Sequence, residues 1–315
     1  MKYPNPFILN RADPFLLHHE DGNYYFTATE PNYNFIELRI SATLYGLRNC
    51  AVQKIWTHHA EGTMSHLIWA PEIHYIDNRW FIYFAAAPTE KIHPIDDTFQ
   101  HRIFVLAADN PHGPWQEKGQ LDTGLDTFCL DATVFTLNGD LYCVWAQKDR
   151  HIRGNSNLYI ARMKNPWTLE SPPIMLSKPE FLWECSVIPV NEGPAVFIHG
   201  KRIFITYSAN ATGAEYCMGM LSAYKDTDLL NPQSWKKSMR PVFQSSSKNK
   251  KYGPGHNSFS TAEDGKTPLV VYHVRDLEKL EEDPLQNPNR HTCIQPFSFD
   301  ENEYPVFGEP EASSD

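Results

Sequence analysis

The sequence predicts an all-β protein folded as a five-bladed β-propeller, with residues 1–315 forming a single domain. Five segments share one pattern, and this pattern recurs about every sixty residues, which leaves room for a second hairpin in each repeat. The chain also has 24 prolines and no long apolar stripe at helical spacing, so helix should be scarce. The five repeats open at Asp13, Glu72, Asp131, Glu192 and His256.

Each repeat contains a hairpin signal, in which an apolar run and an aromatic, β-branched run flank a two-residue turn. The predicted turns are Asp21-Gly22, Asp77-Asn78, Asn138-Gly139, His199-Gly200 and Asp264-Gly265. Runs that start at His101, Asn157 and Leu221 are predicted to be outer strands. The alternative is an all-β sandwich with accidental likeness between its hairpins. Residues 309–315 are expected to form a frayed tail.

Charge and hydropathy limit the class of partner. The chain has 38 acidic and 28 basic residues, and its formal net charge is -10. Because nucleic-acid binding depends on Lys and Arg against phosphates, we expect no nucleic-acid partner and favour a neutral ligand such as a sugar. No apolar run approaches the length of a membrane span, so no membrane partner is expected.

The six cysteines favour a reducing compartment. They form no CxxC pair and match no zinc-binding spacing. Cys129, Cys143 and Cys293 lie in apolar, strand-like runs, where unpaired cysteines are commonly buried. The first ten residues show no apolar signal segment. We therefore expect a cytoplasmic location, with a mature secreted form as the alternative.

The repeat openings are the candidate site. The innermost strands of a propeller line a central channel, so these polar residues should meet at one mouth of it. Carboxylates that share a pocket repel and lose hydration, which is tolerated mainly where they do chemistry. Glycoside hydrolysis needs one carboxylic acid for the leaving oxygen and one carboxylate to activate water. A structural role in a turn is the alternative for each residue, most of all for Glu72.

At these residues the sequence resembles glycoside hydrolase family 43, over nearly the whole chain from Asn5 to Pro310. The matching motifs are Ala12-Asp13-Pro14-Phe15, Trp69-Ala70-Pro71-Glu72, Leu130-Asp131-Ala132, Glu192-Gly193-Pro194, Gly253-Pro254-Gly255-His256 and the run from Arg290 to Pro296. The resemblance implies hydrolysis with inversion, with Asp13 as general base and Glu192 as general acid. It also implies that Asp131 orients the acid and keeps it protonated.

The resemblance also implies the ligands. The substrate should be a plant cell-wall polysaccharide or oligosaccharide, and no cofactor is required. Trp69, Glu72, Arg290, His256 and Phe35 are expected to bind it, and Tyr33 could stack on a sugar face with Phe35. For Trp69, packing between blades is the alternative. Calcium or another ion in the central channel could contact His256, for which a structural hydrogen bond is the alternative.

Among the activities of this family, the motifs favour an exo-acting α-L-arabinofuranosidase that acts on arabinan, arabinoxylan or arabino-oligosaccharides. Loops 89–100, 124–128 and 210–216 should close the channel mouth into a pocket. The alternatives are an endo-1,5-α-L-arabinanase, a β-xylosidase and a non-catalytic carbohydrate-binding propeller. The run Trp183-Glu184-Cys185 also suggests a fructan hydrolase, but the Arg-Asp-Pro motif of those enzymes is missing from the third repeat.

Overall fold

The computed structural model describes residues 3–314 and confirms the predicted five-bladed β-propeller. Each blade is a separate antiparallel sheet whose strands follow one another in sequence order. The first strand of each blade contacts the first strand of the next, and the fifth contacts the first, so the inner strands form a closed ring. The assignment of residues 1–315 to one domain stays a prediction.

The strands of the first two blades are β1 (Ala12–His18), β2 (Tyr24–Thr29), β3 (Phe35–Ser41), β4 (Gln53–Thr57), β5 (His66–Ile76), β6 (Arg79–Ala87), β7 (Arg102–Ala108) and β8 (Gln116–Gln120). The third blade contains β9 (Cys129–Leu137), β10 (Asp140–Gln147), β11 (Asn157–Asn165), β12 (Thr168–Leu169) and β13 (Ile174–Ser177).

The fourth blade contains β14 (Asn191–His199), β15 (Arg202–Ala209), β16 (Cys217–Tyr224) and β17 (Lys236–Lys237). The fifth contains β18 (Tyr252–Thr261), β19 (Pro268–Arg275) and β20 (His291–Pro296), and a small sheet pairs β21 (Ser298–Phe299) with β22 (Pro305–Val306).

Helix is scarce over the described residues, as predicted. One α-helix, α1 (Leu44–Asn49), precedes β4, and the Thr43 side chain caps it by accepting a hydrogen bond from the Gly46 N–H. Two 3-10 turns cover Leu182–Glu184 and Pro232–Ser234. Within residues 3–314, no helix has both the length and the apolar character needed to cross a membrane.

The predicted hairpin turns are confirmed. Asp77 and Asn78 between β5 and β6 both have positive φ, at 48° and 62°, as do Asn138 and Gly139 between β9 and β10, at 54° and 89°. Two consecutive residues with positive φ are what a type I′ hairpin turn requires, because that turn matches the twist of the flanking strands.

Apolar side chains fill the spaces between neighbouring blades. Five buried clusters lie one at each blade junction, including the junction between blades five and one. The cluster between blades two and three contains Trp145, which is fully buried and stacks on Tyr159 with ring centroids 5.9 Å apart. The core is therefore a ring of five contacts around the axis, and it fixes the angular position of every inner strand.

The N-terminal segment closes this ring by joining blade five. The Phe7 N–H donates to the Thr292 carbonyl at 2.7 Å, and the Thr292 N–H donates to the Ile8 carbonyl at 2.9 Å. The side chain of Asn5 bonds both backbone groups of Ile294, at 2.9 and 3.0 Å. This segment therefore takes the place of a fourth strand beside β20.

The expectation of a frayed tail at 309–315 is wrong for the part of it that lies within the described residues. The Gln295 side chain donates to the Glu309 carbonyl and accepts from the Glu311 N–H. The Ser314 N–H donates to the Asn5 carbonyl at 2.7 Å. The tail is thus tied by hydrogen bonds to blade five and to the N-terminal segment, whereas Asp315 lies outside the described residues.

Every inner strand carries a β-bulge at the same place. In each inner hairpin, two residues of the inner strand oppose a single residue of the second strand. The first bulge residue has positive φ in all five blades: Asp13 (52°), Ala70 (45°), Asp131 (57°), Gly193 (53°) and His256 (43°). Proline follows it in three of the five, because a bulge residue has no ladder hydrogen bond to lose.

The bulges correct the predicted alignment of the repeats. Asp13, Asp131 and His256 do occupy equivalent positions, but Ala70 rather than Glu72 is their counterpart in blade two. In blade four the counterpart is Gly193, so Glu192 lies one residue before the bulge. A shift of one residue moves a side chain to the other face of the strand, and a shift of two moves it further along the strand, so the bulge sets which side chain reaches the mouth.

Candidate active site

Asp13 lies at the mouth of the central channel, surrounded by donors and cations. The Thr29 hydroxyl donates to its Oδ2 at 2.6 Å, and Thr29 in turn accepts from the Ala70 N–H at 2.8 Å. His256 Nδ1 and His273 Nδ1 each lie 3.2 Å from Oδ1. Two neighbouring strands and the fifth blade therefore fix the orientation of this carboxylate.

These neighbours decide the charge of Asp13. Burial alone would raise its pKa, but His256, Arg290 and His273 outweigh burial and hold the pKa below its usual range. The Arg290 guanidinium lies 3.6 Å from Oδ1. Burial lowers the pKa of His273 to about 4, so this ring is neutral near pH 7. Asp13 is consequently a carboxylate over the whole physiological range.

The pKa of Glu192 is shifted in the opposite direction to that of Asp13. Burial and the nearby Asp13 charge raise its pKa to about 7, against the opposing effects of Tyr216 and Arg290. The Tyr216 hydroxyl donates to Glu192 Oε1 at 2.8 Å, and burial keeps this phenol protonated by raising its own pKa well above the usual range. Glu192 can therefore hold a proton near neutral pH.

Asp131 is also buried, and its carboxyl group interacts electrostatically with that of Glu192. Burial and repulsion from Glu192 and Asp13 raise the pKa of Asp131, whereas a hydrogen bond from the Gly193 N–H, 3.0 Å from Oδ2, lowers it. Since Asp131 and Glu192 each disfavour the charge of the other, the pair is best described as sharing one proton. Asp131 thus also orients the backbone next to Glu192.

Gly193 fits closely between the two sides of the site. Its φ of 53° disfavours any side chain, and an added Cβ would lie only 3.0 Å from the His256 ring. The Glu-Gly-Pro motif therefore combines the carboxyl side chain, the space for His256 and a proline at the unpaired bulge position. Its glycine lets the fourth and fifth blades approach each other at the mouth.

His256 is held in place by contacts with neighbouring residues of the protein. Its N–H donates to the Ser208 hydroxyl at 2.7 Å, and its ring lies between Gly193 and Asp13. Over residues 3–314, no three His, Cys, Asp or Glu side chains are arranged to hold a metal ion. An ion next to His256 would need water for most of its ligands, so the expected channel ion stays a prediction.

Arg290 lies in the cavity wall and connects Asp13 to the rim. Its Nη2 donates to the Tyr33 hydroxyl at 3.1 Å, and Tyr33 donates to the carbonyl of Leu285. Tyr33 therefore contacts Arg290 through its hydroxyl and does not line the cavity that holds Asp13. The expected contact between Arg290 and the carboxylates is present at Asp13.

A cavity of about 450 Å³ opens above these residues. Its size lies in the range of small-molecule sites. Its floor holds Asp13, Asp131 and Glu192, with His256 and Arg290 beside them. The residues that surround it come from inner strands and loops of blades two to five: Trp69, Phe99, Phe128, Leu130, Asn155, Val187, Ile188, Val190, Asn210, Ala211, Thr212, Asp283, Pro284 and Leu285.

Trp69 is packed in a buried cluster, as the alternative predicted, and its stacking on a sugar stays a prediction. It lines the cavity, and it also stacks on His101 with ring centroids 4.0 Å apart and an interplanar angle of 24°. Phe99 meets it edge-on at 5.2 Å. Burial lowers the pKa of His101 to about 3, so the ring beneath Trp69 is uncharged. The indole is thereby immobilised as a flat wall of the cavity.

Two predicted substrate ligands do not reach this cavity. Glu72 lies deeper, buried and 2.9 Å from His74 Nε2, because it follows the bulge of blade two by two residues. Phe35 is on β3, two strands away from the channel, with the Lys54 ammonium 4.2 Å above its ring. Neither side chain lines the cavity, although Glu72 adds to the negative field at Asp131.

Sequence reasoning missed Thr29, Tyr216 and His273. Thr29 and His273 are polar residues inside apolar strand runs, and that exception was the available signal. Tyr216 ends a loop that was predicted to close the pocket, and residues 210–212 of this loop do line the cavity. Loops 89–100 and 124–128 also contribute, through Phe99 and Phe128.

Glu184, the residue behind the fructan-hydrolase alternative, is structural. Its side chain is fully buried and does not line the cavity. It accepts hydrogen bonds from the Asn191 amide at 2.9 Å and the Tyr207 hydroxyl at 3.0 Å, and it pairs with Lys237 at 2.8 Å. A carboxylate whose lone pairs are satisfied in this way holds the preceding loop against blade four.

Comparison with known proteins places these features in a family. The family model described as "Glycosyl hydrolases family 43" matches residues 3–305. An extracellular exo-α-(1→5)-L-arabinofuranosidase of Streptomyces avermitilis is 48% identical over 98% of this chain. A protein with the same name from Streptomyces chartreusis is 47% identical over 90% of this chain and 85% of its own length. The chain spans 64% of the length of the Streptomyces avermitilis relative.

The crystal structure of an α-L-arabinofuranosidase from Lactobacillus brevis is similar over the whole length. It superposes with a TM-score of 0.97, is 53% identical, and the match covers 99% of this chain and 98% of the other. The propeller and the placement of its loops are therefore those of a known enzyme structure.

The relatives contradict the expected cytoplasmic location, since both Streptomyces proteins are named extracellular. The inference failed because cysteine content reports a compartment poorly when the thiols are buried. Cys129, Cys143 and Cys293 are free and buried, as predicted. Burial raises the pKa of Cys129 to about 11, so the reactive thiolate is scarce whatever the surrounding redox potential.

Proposed function

Because this chain belongs to glycosyl hydrolase family 43, we propose that it is an exo-acting, inverting α-L-arabinofuranosidase. It removes terminal α-L-arabinofuranosyl units from arabinan, arabinoxylan or arabino-oligosaccharides. The names of its relatives support this substrate, and the extracellular location of two of them suits an enzyme that must meet a cell-wall polymer. Loops from four blades around the cavity support attack on a chain end.

The observation that carries the mechanism is the opposite electrostatics of two buried carboxyls that face one cavity. Asp13 is held ionised by His256 and Arg290, whereas burial raises the pKa of Glu192 to about 7. A pair of carboxyl groups with separated pKa values supports the assignment of a base and an acid. Asp13 is the base and Glu192 is the acid.

The reaction is a single displacement at the anomeric carbon. Asp13 takes a proton from a water molecule as the water oxygen bonds to that carbon. The glycosidic C–O bond breaks at the same time, and Glu192 gives its proton to the departing oxygen. Asp131 keeps the acid protonated and holds the Gly193 backbone in place. Arg290 stays next to Asp13 and contacts the sugar that is released.

Hydrolysis of a panel of aryl glycosides and oligosaccharides, followed by proton NMR of the first anomer released, tests this proposal. We expect arabinose from the α-L-arabinofuranosides and from the ends of arabino-oligosaccharides, with the β-anomer appearing first. Release of xylose would indicate a β-xylosidase, and oligomeric products from arabinan would indicate an endo-arabinanase. The α-anomer as the first product would rule out water activation by Asp13.

The control for this panel is Asp13→Asn, which removes the base but keeps the size and hydrogen-bonding oxygen of the side chain. Loss of a general base typically costs about 10²- to 10⁴-fold in rate, and it should do so for good and poor leaving groups alike. Normal turnover by a folded Asp13→Asn protein would exclude Asp13 as the base. No turnover of any glycoside by the unsubstituted protein would favour a carbohydrate-binding propeller.

A further inference from the structure

The strand that carries Glu192 loses its regular pairing directly after this residue. Asn191 and Glu192 still pair with β15, but the register then shifts and resumes only at Ala195. The N–H of Gly193, within the bulge, donates to Asp131 on a different blade. The pairing of β14 therefore fixes the backbone of Glu192 on its N-terminal side, where Asn191 lies.

Every polar group of Asn191 has a partner in the protein. Its N–H donates to the Ser156 carbonyl at 3.1 Å, and its own carbonyl accepts from the Ser156 hydroxyl at 3.0 Å. Its side-chain oxygen accepts from the Ser177 hydroxyl at 2.7 Å, and its Nδ2 donates to Glu184 Oε1 at 2.9 Å. Asn191 is fully buried, so water cannot replace these partners. The residue before Glu192 is thus held through both its backbone and its side chain.

Glu184 is the fixed point to which this amide is attached. Its Oε2 accepts from the N–H groups of Glu180 and Phe181, both at 2.9 Å, and from Lys237 Nζ at 3.0 Å. Its Oε1 also accepts from the Tyr207 hydroxyl at 3.0 Å. Hydrogen bonds to a charged group are roughly twice as strong as those between neutral groups. Because both oxygens are bonded in full burial, this carboxylate cannot rotate without leaving buried groups unpaired.

The other four blades lack this amide. The residues two positions before the bulge in their inner strands are Arg11, Ile68, Cys129 and Pro254. All five blades form the bulge, so the fold itself does not require an amide beside it. A buried amide is costly unless its partners are all supplied. Its presence next to Glu192 therefore points to a role for the acid and not for the propeller.

We propose that Asn191 is a positioning residue for the general acid, with Glu184 as its anchor. Together they hold the backbone of Glu192 while the Tyr216 hydroxyl holds its carboxyl group, so that the acid faces the departing oxygen. Neither Asn191 nor Glu184 lines the catalytic cavity, so both act through Glu192. Misplacement of a catalytic group by about 1 Å can cost about 10²-fold in rate. The positioning role rests on the proposed function, in which Glu192 is the acid.

The test varies the leaving group, because a general acid matters most when the leaving oxygen needs a proton. Arabinobiose releases a sugar alcohol and needs the acid, whereas 4-nitrophenyl α-L-arabinofuranoside releases a stable phenolate and needs it much less. Asn191→Ala removes the amide, and Ser177→Ala removes one hydrogen bond to it with less risk to folding. We expect the arabinobiose-to-aryl ratio of kcat/KM to fall by about tenfold or more in Asn191→Ala, within the contribution of a general acid. The fall should be smaller in Ser177→Ala.

Asn5→Ala is the matched control, because it removes an equally buried amide that bonds both backbone groups of Ile294 in blade five. A loss of stability alone lowers both rates alike, so this variant should keep the ratio of the unsubstituted protein. An unchanged ratio in both Asn191→Ala and Ser177→Ala, or an equal fall in Asn5→Ala, overturns the positioning role. If Asn191→Ala does not fold, the ratio in Ser177→Ala decides.

A double-mutant cycle with Glu192→Gln separates the positioning role from the proposed function. Glu192→Gln lowers the ratio if Glu192 is the acid, and Asn191→Ala should then lower it no further in the double variant. A second fall of the same size would show that Asn191 does not act through Glu192, and only the positioning role would fail. If Glu192→Gln leaves the ratio unchanged, the assignment of the acid fails and the positioning role fails with it. If the glycoside panel releases xylose, 4-nitrophenyl β-D-xyloside and xylobiose replace the two arabinosides.

Discussion

At Glu192, influences that raise the pKa and influences that lower it act on the same carboxyl group. Burial and the Asp13 charge raise the pKa, whereas the Tyr216 hydroxyl and Arg290 lower it. Tyr216 is itself held by the fifth blade, where the close approach of Gly255 leaves no room for a Cβ, which would lie 2.4 Å from the phenol ring. Tyr216, which lowers the pKa of Glu192 against the larger effect of burial, therefore ends a loop that the glycines of blade five support.

This balance predicts the pH dependence. A general acid works only in its protonated form, so kcat/KM should fall as the pH rises through about 7, the pKa of Glu192. Tyr216→Phe removes a donor that stabilises the carboxylate, which raises the pKa further. We therefore expect the alkaline limb of the kcat/KM profile to move to higher pH in this variant.

The pH profile of Tyr45→Phe is the control, because Tyr45 is exposed on α1 and far from the channel. An alkaline limb that stays in place in Tyr216→Phe, or moves to lower pH, would show that Glu192 is not the group that titrates there. The acid limb should be unchanged in both variants, since the cations around Asp13 keep it ionised.

Among single residues, sequence reasoning finds the carboxyl groups of the candidate site. Asp13, Asp131 and Glu192 were predicted, and the structure brings all three to one cavity. Supporting residues were harder to find, because the contact between Tyr216 and Glu192 depends on how a loop folds back over blade four. A hydrogen bond between residues on different elements has no signature in local sequence.

At the level of elements, Arg275 at the end of β19 holds two segments of the cavity rim. It is 1% exposed, and its Nε donates to the Thr212 carbonyl at 2.9 Å. Its Nη2 donates to the Pro284 carbonyl at 2.5 Å and its Nη1 to the Asn289 carbonyl at 3.2 Å. One guanidinium thus ties loops 210–216 and 276–290 together, and both loops line the cavity.

We predict that Arg275→Lys loosens the rim and leaves the chemistry largely intact. A lysine ammonium is a single point of donation, so it cannot reach carbonyls of both loops at once. KM for arabino-oligosaccharides should rise several-fold more than kcat falls, and amide hydrogen exchange should accelerate in 210–216 and 276–290.

Arg202→Lys provides the comparison, because Arg202 lies between Tyr224 and Tyr304 at the opposite end of blade four. If Arg275→Lys lowered kcat and left KM and hydrogen exchange unchanged, Arg275 would act on the reaction centre and not on the rim. Unchanged kinetics and unchanged hydrogen exchange would show that the two loops keep their conformation without Arg275.

The local sequence pattern predicts hairpins well, but it predicts poorly which residue of an inner strand lies at the bulge. The turns and outer strands were found because a turn and its flanking runs are local features. Glu72 was placed at the wrong position because a bulge adds one residue to a strand without changing its composition, and the letters Ala-Pro-Glu are compatible with either phase. Phe35 was misplaced for a related reason, since its distance from the axis depends on strand order within the blade.

For the whole molecule, the critical contact is the one that closes the ring. Asn5 pairs with both backbone groups of Ile294 through its side chain, and its own carbonyl accepts from Ser314. It is 1% exposed, so water cannot replace these partners. Asn5 therefore links the N-terminal segment, the C-terminal tail and blade five, alongside the contacts of Thr292 and Gln295.

Asn5→Ala should consequently destabilise the entire propeller. It leaves the Ile294 N–H and carbonyl buried without partners, and each such group costs about 1–3 kcal/mol of unfolding free energy. We expect a lower midpoint in urea and a lower melting temperature, with a single cooperative transition. The exposed residue Asn302 offers the matched substitution, Asn302→Ala, which should melt like the unsubstituted protein. Equal stability of the two variants would mean that the blade junctions alone close the ring.

The five repeated bulges have a consequence for how this site could be changed. The backbone has the same positive-φ bulge conformation at Asp13, Ala70, Asp131, Gly193 and His256. The five blades are therefore equivalent in backbone at this position and differ only in their side chains. In blade two, this position carries only the methyl group of Ala70. Ala70 is thus the one position of blade two at which a longer side chain would leave the backbone in the same conformation that Asp13, Asp131 and His256 already use.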